Sequence, residues 1–94
     1  MVEHVVCFKL KQGESVEKAK EVLLSMQGKV PMMRAIKVGV DELRSPRSYD
    51  ILLSVLLDDF AALEAYQVDE YHVSVVKKHM HAVVESSVAV DFQL

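Results

Sequence analysis

An α+β domain with its elements in the order β-α-β-β-α-β follows from three observations. Four runs alternate apolar and polar residues or are apolar throughout, which marks strands. Apolar residues recur at spacings of three and four between the first and second runs, and again between the third and fourth, which marks helices. The turn formers Gly13, Gly28, Pro31 and Pro46 fall between these runs and not inside them. With 94 residues, 51% of them hydrophobic and 27% charged, the chain has globular composition, and residues 1–94 are expected to form one domain. Trp is absent and aromatics reach only 6%, so the core must come from Val, Leu, Ala and Met. A chain this short buries about 60–65% of the surface its unfolded form exposes, which favours self-association.

The first strand is Val2 to Leu10. Val2, His4, Val6, Phe8 and Leu10 share one face, and Glu3, Val5, Cys7 and Lys9 the other. Gly13 turns the chain. Ser15 is an N-cap and Glu17 favours the helix dipole in the first turn. Val16, Ala19, Leu23, Met26 and Val30 then form a helical stripe, with Gly28 and Pro31 ending it. Arg34 to Glu42 alternates again, with Ile36, Val38 and Val40 on one face. A polar loop, Leu43 to Ser48, leads to Tyr49–Leu57, which is apolar on both faces except for Asp50 and Ser54 and therefore reads as a central strand. Asp58 or Asp59 caps a helix carrying Phe60, Ala62, Leu63 and Tyr66. A second helical segment runs from Asp69 to His81, with His72, Val75, Val76 and His79 as its expected face. Val83 to Leu94 closes the chain as a strand, with Val84, Val88, Val90, Phe92 and Leu94 opposed to Glu85, Ser87, Asp91 and Gln93.

This order is the ferredoxin-like arrangement, with helices covering one face of an antiparallel sheet. The other face carries Val and Leu as well, and an uncovered apolar face is a partner surface. A homodimer in which two sheets pack face to face is expected.

The net charge of −3 disfavours a nucleic-acid footprint. Residues 1–47 hold nine Lys/Arg against six Asp/Glu, and residues 48–94 hold two against eight. The lone Cys7 excludes an intrachain disulfide. No secretory signal and no apolar stretch of membrane-spanning length is visible, so a cytoplasmic location without membrane contact is expected. Glycine patterns for dinucleotides or a P-loop are absent. His79 and His81 are two residues apart and do not face one another on a helix, and His72 with His79 falls short of the three or four ligands zinc needs. No metal and no cofactor are expected.

His4-Val5-Val6-Cys7-Phe8-Lys9-Leu10, Tyr49-Asp50-Ile51, Ala65-Tyr66 followed by Tyr71-His72, and Val90-Asp91-Phe92 together resemble the stress-responsive dimeric α/β-barrel (Dabb) family over residues 2 to 92. The resemblance implies a ferredoxin-like protomer whose sheet pairs with a partner's to form a barrel, and a pocket between sheet and helices. A plant cyclase of the family closes a linear polyketide by aldol condensation with a histidine and a tyrosine. Carried over, these fall on His72 and Tyr66, with His4 and Asp50 as pocket residues. The chain departs from the family where Asp69-Glu70-Tyr71-His72 replaces the frequent His-Pro-x-His, and where Asp50 replaces a further histidine of the cyclase.

These residue types suit proton abstraction beside a carbonyl. A histidine titrates near pH 6.5 and serves as a general base, and a phenol stabilises an enolate oxygen. Asp50 is able to orient an imidazole. Each also has a structural reading: His4 as a satisfied core residue, Tyr66 as core filler, Asp50 as a turn cap. The expected function is a Dabb-type homodimer binding a small hydrophobic carbonyl or aromatic ligand, with His72 as base and Tyr66 as donor if catalytic. A non-catalytic stress protein and a cofactor-independent oxygenase of the wider superfamily are the alternatives.

Overall fold

The computed structural model describes residues 1–94. Its elements run β1 (Val2–Leu10), α1 (Val16–Leu24), β2 (Ala35–Val40), β3 (Ile51–Leu57), α2 (Phe60–Val68), a π-helical stretch His72–Lys77, α3 (Lys78–Val83) and β4 (Val84–Gln93). The four strands form one antiparallel sheet in the order β2-β3-β1-β4. This is the expected ferredoxin-like topology, and β3 is central as its doubly apolar sequence required. No helix is long and apolar enough to cross a membrane.

Local chemistry explains the boundaries. The Ser15 side chain accepts from the Lys18 N–H at 3.0 Å and starts α1, and Asp59 does the same for α2 through the Ala62 N–H at 2.8 Å. The first helix stops at Leu24, earlier than its apolar stripe suggests, because the Ser25 hydroxyl donates to the Val22 carbonyl and competes with the backbone ladder. Tight turns and Gly28, at φ 81°, then carry Met26 and Val30 inward, and both stay buried.

The register settles which strand faces meet the helices. Val2, His4, Val6 and Phe8 pair with Leu57, Val55, Leu53 and Ile51, and these pack on the helix side. Leu23, Met26, Val30, Tyr66, Val76 and Met80 complete the core from above.

The pairing of the last strand decides what its alternation left open, which of its faces meets the helices, and departs from that alternation at Val84. Its residues Val88, Val90 and Phe92 pair with Cys7, Val5 and Glu3 and lie on the face away from the helices. Its polar residues Ser87 and Asp91 lie on the helix side, opposite Phe8 and His4. A bulge where the pairing slips between Lys9 and Leu10 sets Val84 opposite Leu10, so Val84 joins the core and leaves the face it shares by parity with Val88. The segment before β4 is also corrected. Its buried residues are His72, Val76, Met80 and Val83, whereas Val75 is exposed and His79 only half-buried. The π-helical turn changes the phase that an α-helical reading of Asp69–His81 assumed.

Candidate functional site

A cavity of about 240 Å³ opens between the sheet and the helices. Its floor is His4, Val6 and Phe8 of β1 with Leu53 of β3, its roof Leu23, Tyr66, His72, Val76 and Met80, and its rim Gln67, Lys77, His81, Val84 and Ser87. It exists because α1 lies against β2 and β3 while α2 lies against β1 and β3. The short side chains Ser87 and Ala89 on the helix side of β4 leave space there.

Three of the four residues singled out in the sequence meet at this cavity. The ring of Tyr66 stacks on His72 with centroids 4.1 Å apart and meets the His4 ring edge-on at 5.6 Å. All three are buried. His72 lies six residues after Tyr66, across the helix end at Asp69, whose carboxylate accepts from the His72 backbone N–H at 3.0 Å. The same turn brings His72 Nδ1 to 2.8 Å from the Tyr66 carbonyl. A carbonyl only accepts, so Nδ1 carries the hydrogen and Nε2 is the atom left for a ligand. Burial pushes the His72 pKa below its ordinary value, against the Tyr66 carbonyl, which raises it, and with Lys77 and His4 adding to the lowering. The imidazole is therefore neutral at neutral pH.

Tyr66 has no exposed surface, and its hydroxyl donates to Met26 Sδ at 3.7 Å. Burial, helped by Asp69, drives its pKa far above that of a free phenol, so the hydroxyl stays protonated. Sulfur is a weak acceptor, so this donor is held loosely. At the floor, His4 Nδ1 is hydrogen-bonded to the Asp91 carboxylate. The carboxylate accepts, which again assigns the hydrogen to Nδ1.

Asp91 is the member that the residue-by-residue reading missed. Its signal lies in the pairing of the chain's first and last strands, which sets Asp91 directly opposite His4. Lys77 was also missed, since an α-helical wheel does not turn it toward His72.

Asp50 does not join the cavity. It sits at the other end of β1, where its carboxylate accepts from the Leu10 N–H at 2.7 Å and pairs with Arg44 at 2.9 Å. Burial alone would raise its pKa, but these two donors, with Lys9 nearby, hold it below the ordinary carboxylate range. The Arg44 backbone is left-handed, at φ 56°, and its N–H donates to Asp41 at 2.8 Å. The whole arrangement fastens the loop before β3 to the sheet. No group of three or more His, Cys, Asp or Glu side chains is placed to hold a metal ion.

No protein of curated function matches the sequence. Among solved structures, a dimeric protein of ferredoxin-like fold and unknown function from Bacteroides fragilis is 27% identical. It covers 99% of this chain and 95% of its own, with a TM-score of 0.77. A hydroxynitrile lyase from Passiflora edulis is 17% identical over 99% of this chain and 92% of its own, with a TM-score of 0.80. An antibiotic biosynthesis monooxygenase is 18% identical over 100% and 98%, with a TM-score of 0.73. At such identities the last two share the fold alone. The sequence profile of the stress responsive A/B barrel domain matches residues 2–94, nearly the full length, and agrees with the residues that suggested it: the chain belongs to the Dabb family.

Proposed function

We propose that this chain forms a homodimer and binds a small, largely apolar carbonyl compound or aromatic ligand in the cavity, with His72 as general base for proton transfer beside the carbonyl. The observation that carries this reading is the conjunction of a cavity of about 240 Å³ with a buried, neutral imidazole whose Nδ1 is tied to the Tyr66 carbonyl. Such a base has one lone pair, on Nε2, and it is available at neutral pH. In the step proposed, Nε2 takes a proton from the carbon next to the carbonyl. The C–H electron pair moves into the carbonyl group and gives an enolate, and the imidazolium returns the proton to close the cycle. Tyr66 is the donor to the enolate oxygen: it exchanges a weak sulfur partner for a charged one, a stronger hydrogen bond. His4, held by Asp91, forms the polar part of the floor.

The test needs no knowledge of the natural substrate. Acetophenone incubated with the protein in D₂O is expected to exchange its methyl hydrogens faster than in buffer, followed by proton NMR, and His72→Gln to return the rate to the buffer level. Exchange that persists in the Gln variant would remove His72 from the mechanism.

The dimer is supported by the uncovered sheet face, where Val5, Cys7, Leu52, Leu56, Val88, Val90 and Phe92 lie together. Val90 is 62% exposed and Val88 51%, in a patch too apolar to face water without cost. Solved relatives are described as dimeric, the one 27% identical among them. Sedimentation equilibrium is expected to give twice the chain mass of 10.6 kDa; a mass of one chain at micromolar concentration would refute it.

A further inference from the structure

Resting on the pocket reading above, we infer that the ligand of this cavity carries a carboxylate, bound by the Lys77 ammonium at the rim. The lining holds Lys77 and three histidines and not one Asp or Glu, although the protein as a whole is acidic with a net charge of −3. Lys77 is half-buried and its Nζ donates to the Gln67 carbonyl at 2.8 Å. That bond fixes the ammonium and uses one of its three hydrogens. It has no carboxylate within ion-pair distance. Of the acids about the cavity, Asp69 accepts from the His72 N–H and Asp91 from His4, and neither Glu70 nor Glu85, at seven and eight residues along the chain, lies within ion-pair distance of Lys77. A cation held in place, partly desolvated and without a counter-ion is a site for an anion.

The backbone shows how Lys77 reaches that position. In an α-helix of 3.6 residues per turn, residues five apart point roughly 140° away from each other. The π-helical stretch His72–Lys77 bonds i to i+5, which widens the turn and brings Lys77 toward the side that His72 occupies. One ligand thus meets an imidazole at the roof and an ammonium at the rim, with Val6, Phe8 and Leu53 beneath it. The class that fits is an oxo acid whose ketone and carboxylate are separated by a short apolar spacer.

The probes are 4-oxo-4-phenylbutanoate and its neutral primary amide, titrated calorimetrically into the wild type, Lys77→Met and Lys77→Arg. The wild type is expected to bind the acid at least tenfold more tightly than the amide. Lys77→Met, which keeps the apolar stem, is expected to abolish that preference, while Lys77→Arg retains it. Equal binding of the two compounds by the wild type, or a preference surviving in Lys77→Met, would overturn the inference and leave the pocket reading standing. Failure of both compounds to bind would overturn both. Should Lys77→Met not fold, the acid-to-amide ratio of the wild type and of Lys77→Arg, and its decline with added salt, decide the matter.

Discussion

Two buried polar clusters lie toward opposite ends of β1, and they are built differently. At the Leu10 end, Asp50 is only 6% exposed, and both its oxygens have strong partners, a backbone N–H and a guanidinium. At the His4 end, His72 and Tyr66 are as deeply buried, yet the Tyr66 hydroxyl has only a sulfur and His72 uses one ring nitrogen on a carbonyl. The first cluster is satisfied from within and closes a loop. The second keeps hydrogen-bonding capacity in reserve beside a cavity. Burial alone does not separate a polar group satisfied from within from one that keeps capacity to spare; what its remaining lone pairs and hydrogens meet does.

The largest expected effect tests the structural end. Asp50→Ala leaves the Leu10 N–H without its acceptor and Arg44 without its buried partner, at a cost of about 1–3 kcal/mol. For a domain this size that lowers the melting temperature by roughly 4–8 °C per kcal/mol, measured at one fixed concentration because a dimer's stability depends on it. The Asp50 carboxyl is held below its ordinary value, so its contribution is full above the unfolded pKa of about 3.9 and is lost as pH falls through the folded one. The alanine variant is expected to lose this part of the acid transition. A drop of less than about 0.5 kcal/mol would erase the contrast between the clusters.

His72→Gln tests the other end and is expected to act mainly on pH dependence. The folded pKa of His72 lies below its unfolded value of about 6.5. Above that pH neither state holds the proton. As pH falls below it, the unfolded chain binds the proton first, and wild-type stability declines until the folded pKa is passed. The Gln variant should show a flatter denaturant midpoint between pH 7.5 and 5, and the role proposed for His72 predicts stability at pH 7.5 unchanged or higher. A loss of several degrees at pH 7.5 would make His72 structural.

The smallest effect belongs to Tyr66→Phe. It removes only a hydroxyl bonded to sulfur and keeps the stacked ring, so thermal denaturation should shift by less than about 1 kcal/mol equivalent. A larger fall would mean that the Tyr66–Met26 contact holds α2 to α1, and that this hydroxyl is not in reserve.

Much of this architecture is legible from sequence because it rests on local chemistry. The period of two in Val2–Leu10, the stripe from Val16 to Met26, and the Ser15 and Asp59 caps each depend on residues a few positions apart. The meeting of His4, Tyr66 and His72 was accessible only through the family resemblance, since nothing in their spacing brings residues 4 and 72 together. Asp50 travelled with that resemblance and belongs elsewhere.

Element order, the residues that share a strand face and the helix starts follow from residues a few positions apart, because alternation and capping are short-range. Which face of β4 meets the helices is set by its pairing with β1 in the folded sheet, since parity says which residues share a face and not where that face points. The same holds for the bulge that turns Val84 inward, the placing of Asp91 on His4, and the π-helical turn that carries Lys77 toward His72. Each of these depends on pairing or packing between segments distant in the chain, and their energies appear only when those segments meet.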